Sequence, residues 1–206
     1  AAATDLTISA FEVSSLGDGI VASNYGTGTT NIRSTGSVVG TNGIGIYARN
    51  MYSPSELTIN SVDVTGGQFG IGALNFAGGP TIVTSTGTVV GTNAAGISVT
   101  HGGYNGDLII NAVDVIGGQV GISTFNISRE ALSITSTGSV STSGVNGLYG
   151  IYGRNAFYAT DMTVNAVDVS GGLTGIHLRN FGTGTTAITA TGTVTGTNRN
   201  GIYANV

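Results

Sequence analysis

The side chains able to do acid–base or electrostatic chemistry are few in this 206-residue chain: ten Asp and Glu, two His, and six basic residues that are all Arg. Cys is absent, which excludes thiolate metal sites and a cysteine nucleophile. Sugar-cleaving sites need paired carboxylates about 5–10 Å apart, or clustered acids with a basic partner and calcium. No two acids are adjacent here. Asp5, Glu56, Asp107 and Asp161 fall at one repeating position, and Glu12, Asp63, Asp114 and Asp168 at another. Asp18 and Glu130 are the irregular ones and lie far apart, while His101 and His177 sit at different places in the repeat. No nucleophile elbow, P-loop or His-rich metal pattern occurs. Acids this regular read as scaffold, so the expectation is a chain that is not an enzyme and holds no metal or cofactor.

The uneven chemistry is elsewhere. Gly-Ile pairs recur along the chain, and Tyr47, Tyr152, His177 and Tyr203 each follow such an Ile. Two residues further on stand Arg49, Arg154 and Arg179. In a strand, positions two apart share a face, so Tyr47, Arg49, Tyr152, Arg154, His177, Arg179 and Tyr203 should form one exposed strip. Tyr offers a flat amphipathic face and Arg a donor fork, a combination suited to a glycan or a host or cell-surface protein. The competing reading is cross-strand stacking that only stabilises a sheet. Tyr52, Tyr104, Phe157 and Tyr158, in adjoining turns, would extend the strip.

The elements that position these residues come from an internal repeat. Asp5-Leu6-Thr7-Ile8 returns as Glu56-Leu57-Thr58-Ile59, Asp107-Leu108-Ile109-Ile110 and Asp161-Met162-Thr163-Val164. Each long repeat splits in two, so Ile8, Ile32, Ile59, Val83, Ile110, Ile134, Val164 and Ile188 open eight equivalent units. Every unit holds three short alternating runs separated by Gly, Asn and Thr. These runs read as half-buried strands of three to five residues joined by turns. No window has a helical period. The pattern predicts an all-β, right-handed, three-sided parallel β-helix (a solenoid) of about eight rungs in four double repeats of 51–54 residues. One domain covers 1–206, with double repeats at about 5–55, 56–106, 107–160 and 161–206. At about 4.8 Å per rung the rod is roughly 38 Å long. An antiparallel sandwich of the same short strands is the rival, but gives no reason for residue types to return rung by rung.

Two ladders follow from this stacking. Five or six residues from each Gly-Ile start stand Asn24, Asn50, Asn75, His101, Asn126, Asn155 and Asn180. We read them as an internal Asn ladder that holds a turn, with amides bonding along the stack, rather than as a ligand site. The middle strand carries Glu12, Ser37, Asp63, Thr88, Asp114, Ser139, Asp168 and Thr193 at its outward position. Acids two rungs apart read as a solvated face, since calcium needs several converging oxygens.

Composition excludes more. A net charge of −4 with no Lys leaves nothing to neutralise a run of phosphates, so no nucleic-acid partner is expected. No apolar stretch approaches 18 residues, so no transmembrane segment is expected, and no signal peptide opens the chain. Gly lacks the collagen period, and 40% hydrophobic residues argue against disorder.

The units around 107–118 and 161–172 (Asp-x-x-x-Asn-Ala-Val-Asp-Val-x-Gly-Gly) and around 84–93 and 189–198 (Thr-x-Thr-Gly-Thr-Val-x-Gly-Thr-Asn) resemble the degenerate repeats of bacterial autotransporter passenger domains. The resemblance spans the whole chain. It implies a secreted or bacterial cell-surface rod, often an adhesin, exported with a C-terminal barrel translocator that this chain does not contain. It carries over no catalytic residue. The leading expectation is therefore a non-catalytic rod segment presenting a binding face. End-to-end stacking into extracellular filaments, through strand edges left open at Leu6 and Val206, is the alternative. A polysaccharide-active enzyme and an ice binder built on the Thr-Gly-Thr strings are lesser readings.

Overall fold

The computed structural model describes residues 4–52, 55–144 and 146–206. These residues form 24 strands and no helix. Three parallel sheets of eight strands each take every third strand in order, giving eight turns of a three-sided β-solenoid. The fifth turn shows the unit: Leu108–Ala112 in the first sheet, Asp114–Gly117 in the second, Val120–Asn126 in the third.

The aliphatic residues that mark the repeat are the ones that stack. Ile8 pairs with Ile32, and the column continues through Ile59, Val83, Ile110, Ile134 and Val164 to Ile188. Val38, Val64, Val89, Val115 and Val140 form a second column, and Ile46, Ile71, Ile97, Ile122 and Ile151 a third, all fully buried. A single turn leaves these side chains in water; stacking removes them from it, at about 25 cal/mol per Å². The rungs compensate for one another's volume. Gly153 sits beside Leu178, whose Cδ2 stands 2.8 Å from where a Cβ on Gly153 would lie, so the larger side chain fills the gap.

Strand length departs from the expected three to five residues in the third sheet. Ala95–His101, Val120–Asn126, Tyr149–Asn155 and Thr174–Asn180 each run seven. The extra residues are the Gly of the Gly-Ile pair and the residue before it, where Val120 pairs with Tyr149 and Tyr149 with Thr174. The third sheet is thus the widest platform on the molecule.

Candidate functional site

The third sheet and its flanking turns hold every Tyr, five Phe (Phe69, Phe76, Phe125, Phe157, Phe181) and five Arg (Arg49, Arg129, Arg154, Arg179, Arg199). None of its strands contains Asp or Glu. The first and second sheets contain no aromatic residue in any strand. The turns also hold the acids Asp18, Glu56, Asp107, Glu130 and Asp161, so it is the strand face of this sheet, with Arg49, Arg154 and Arg179, that is aromatic and cationic.

Its densest part lies on rungs six to eight. The register sets Tyr152 beside His177 and His177 beside Tyr203. Their ring centroids are 5.5 and 4.7 Å apart. Tyr149 closes the cluster, 5.3 Å from the Tyr152 ring and 4.8 Å from that of His177. Sequence reasoning missed Tyr149 as a member of this cluster. Its signal is in the spacing of the unit starts: Ile134 to Val164 spans 30 residues where the others span 24 or 27, an insertion around 143–149 that brings a Tyr onto the sheet three residues before Tyr152. Val145 lies outside the described residues; the rest stays tied to the stack through Leu148, which donates to Gln119 and accepts from Leu173.

His177 was expected on the exposed strip, yet it is only 9% exposed. It points outward, and the surrounding rings and Arg179 cover it. Arg179 Nε donates to His177 Nε2 at 3.2 Å, which assigns the imidazole proton to Nδ1. Burial first, and the adjacent Arg179 charge second, push its pKa below the ordinary value of 6.5, so it is neutral at pH 7. Beside it lies an open cleft of about 180 Å³ lined by Tyr149, His177, Arg179, Arg199, Asn200 and Tyr203.

The remaining strip residues are placed in two further groups. Arg154 lies between Phe125 and Phe181, its guanidinium 4.7 and 5.4 Å from their centroids, with a buried Nε that has no hydrogen-bond partner. Arg49 sits over Tyr25 at 5.0 Å, hydrogen-bonds its hydroxyl, and donates Nε to Ser23 at 2.9 Å. Tyr47 is separate: with Ile44, Phe69, Gly72 and Leu74 it edges an apolar groove of about 140 Å³ on rungs two to four. At the next corner Arg129 lies 5.9 Å from the exposed Tyr104 ring and 5.6 Å from that of Tyr158, a contact the sequence did not suggest.

The Asn positions occupy the inner end of the same sheet. Asn50, Asn75, Asn126, Asn155 and Asn180 are at most 1% exposed, and Asn24 is 5% exposed. Asn75 is representative: Oδ1 accepts from Ala77 N at 3.1 Å and Nδ2 donates to Gly79 O at 3.1 Å. Each amide thus stitches its own corner. Side-chain amides bond directly between rungs at Asn126, which donates to Asn155 Oδ1 at 3.2 Å. His101 substitutes both functions, with Nδ1 2.8 Å from Thr81 Oγ1 and Nε2 2.8 Å from Gly106 O.

The middle-strand acids stay on the solvated surface, and with the other Asp they also cap the stack. All seven Asp accept a backbone N–H from the following rung: Asp5 from Thr29, Asp18 from Ile44, Asp63 from Thr88, Asp107 from Ala131, Asp114 from Ser139, Asp161 from Thr185 and Asp168 from Thr193, at 2.7–3.1 Å. Asp18, irregular in sequence, belongs to this set. The bonds from Thr185 hold the Asp161 carboxyl below the usual carboxylate pKa. Among the described residues no three His, Asp or Glu side chains converge as a metal site, and no helix is long and apolar enough to cross a membrane.

The chain matches no protein-family model, no curated protein and no solved structure.

Proposed function

We propose that this chain is a non-catalytic segment of a secreted or cell-surface rod of adhesin type, with the third sheet as its partner-binding face. The carrying observation is the segregation of the aromatic residues onto that sheet and its turns, with Arg49, Arg154 and Arg179 and no acid in its strands. Stacking for stability alone gives no reason to leave Tyr104, Phe157 and Tyr158 more than 70% exposed. Exposed clusters of aromatic residues with Arg are the composition of binding hot spots. The use of every Asp as a cap to the next rung supports the non-catalytic half of the reading, since each carboxylate already accepts a hydrogen bond from a backbone N–H. The resemblance of the repeats to autotransporter passengers supports an extracellular setting.

The test is a glycan and cell-surface protein array probed with the wild-type chain and with the combined variant Tyr152→Ala, His177→Ala, Arg179→Ala. Binding by the wild type, lost in the variant while its circular dichroism is unchanged, is expected. Binding that survives the substitutions removes this face from the function.

A further inference from the structure

The cleft on rungs six to eight has a chemistry narrower than that of the face around it. Arg179 uses Nε on His177, which fixes the plane of the guanidinium. Its two terminal nitrogens have no partner among the described residues, leaving the end-on fork that matches a carboxylate in a bidentate pair. Arg199 brings a second cation to the same cleft, and Asn200 an amide that can donate and accept. Tyr149 and Tyr203 supply flat walls on either side of His177. No acid lines the cleft. Its roughly 180 Å³ is well below the 300–1,000 Å³ of pockets that enclose whole drug-sized ligands. That volume suits one ring of a chain, with neighbouring rings lying along the open sheet.

We propose that this cleft is a subsite for a carboxylated pyranose, a uronic or sialic acid unit within a longer glycan. The ring stacks on Tyr149 and Tyr203, and its carboxylate takes the Arg179 fork with Arg199 as the second cation. The neutral His177 is the positioning residue: its unprotonated Nε2 accepts from Arg179 Nε and so leaves the terminal nitrogens of the fork facing outward. The apolar groove beside Tyr47, four rungs and about 19 Å along the same sheet, would contact a more distant, uncharged part of the same chain. This proposal rests on the third sheet being the binding face and names the chemistry it selects.

The test is calorimetric titration with four probes: a galacturonate oligomer, its methyl ester, 3′-sialyllactose and lactose. We expect at least one carboxylated probe to bind at least tenfold tighter than its neutral counterpart. The galacturonate and sialyl arms separate the two sources of the carboxylate. Arg199→Gln, on an exposed turn and so neutral to folding, should remove at least tenfold of that preference, and Arg179→Gln as much or more. Arg179→Lys should recover only part, because Lys lacks the fork. Equal binding of carboxylated and neutral probes, no binding of any of the four, or indifference to both Arg→Gln variants overturns the proposal. A neutral sugar bound through Tyr152 would overturn the acidic subsite and leave the binding face standing.

Discussion

His101 stands where six other rungs carry Asn, and its two ring nitrogens do the work of an amide: one meets the Thr81 hydroxyl, the other the Gly106 carbonyl. An imidazole brings a liability that Asn lacks. Burial pushes its pKa below 6.5, against smaller opposing effects of the Gly106 hydrogen bond and Asp107. The unfolded chain therefore takes up the proton first as pH falls. Stability is full above about pH 6.5 and declines below it, until the folded form also protonates. His177, with burial and Arg179 acting in the same direction, adds to that decline. His101→Asn should leave stability at pH 7.5 within about 1 kcal/mol and reduce the loss between pH 7.5 and 5. Urea midpoints at the two pH values check this; an unchanged acid loss would mean His101 is not its source. Asn24 to Asn180 were legible as a ladder because one residue type returns at one position. The Asp caps were not, because their partner is a backbone N–H 24–26 residues later and leaves no side-chain signature.

At the scale of the element, the three strands per rung were readable from aliphatic alternation, and Ile8 through Ile188 fall in the expected column. The length of the third-sheet strands was not. Gly96, Gly121, Gly150 and Gly175 interrupt the alternation and look like turn residues, yet the chain stays extended through them. That hid the column of Ala95, Val120, Tyr149 and Thr174. Gly also fixes the corner between the second and third sheets. A Cβ on Gly117 would lie 1.7 Å from the Val120 carbonyl oxygen, a backbone atom that cannot turn aside. Gly117→Ala should therefore cost about 3 kcal/mol, the upper range for overpacking, although the residue added is only a methyl. Ile110→Ala, which empties the fully buried first-sheet column of the same rung, should cost about 2–5 kcal/mol. Equilibrium urea unfolding measures both. A Gly117→Ala cost under about 0.5 kcal/mol, the level of an ordinary surface change, would show that the corner can open.

The whole molecule behaves as a stack in which each rung contacts only its neighbours, so its parts should be separable by whole repeats. Residues 56–106 are one double repeat, beginning at Glu56 where the next begins at Asp107. Removing them joins Ser55 to Asp107, and Thr30, which pairs with Leu57 in the intact chain, meets Leu108 instead. The aliphatic columns, the corner Asn and the Asp caps all stay in register across that join, because 51 residues later the same side chains face the same way. A shift of one residue would instead turn every core side chain outward. The shortened chain should fold with the circular dichroism of the parent. Its urea m-value should fall by about a quarter, since two rungs of eight no longer contribute buried surface. It also separates the two ends of the proposed binding face. The groove built on Phe69, Gly72 and Leu74 is deleted, whereas the cleft of Tyr149, His177, Arg179 and Arg199 is untouched. Carboxylated sugars should still be preferred over neutral ones, and long glycans should lose the part of their affinity that came from the groove. An unfolded or aggregated product would show that the rungs depend on one another beyond their nearest neighbours, and the proposed binding face would then act as one cooperative unit.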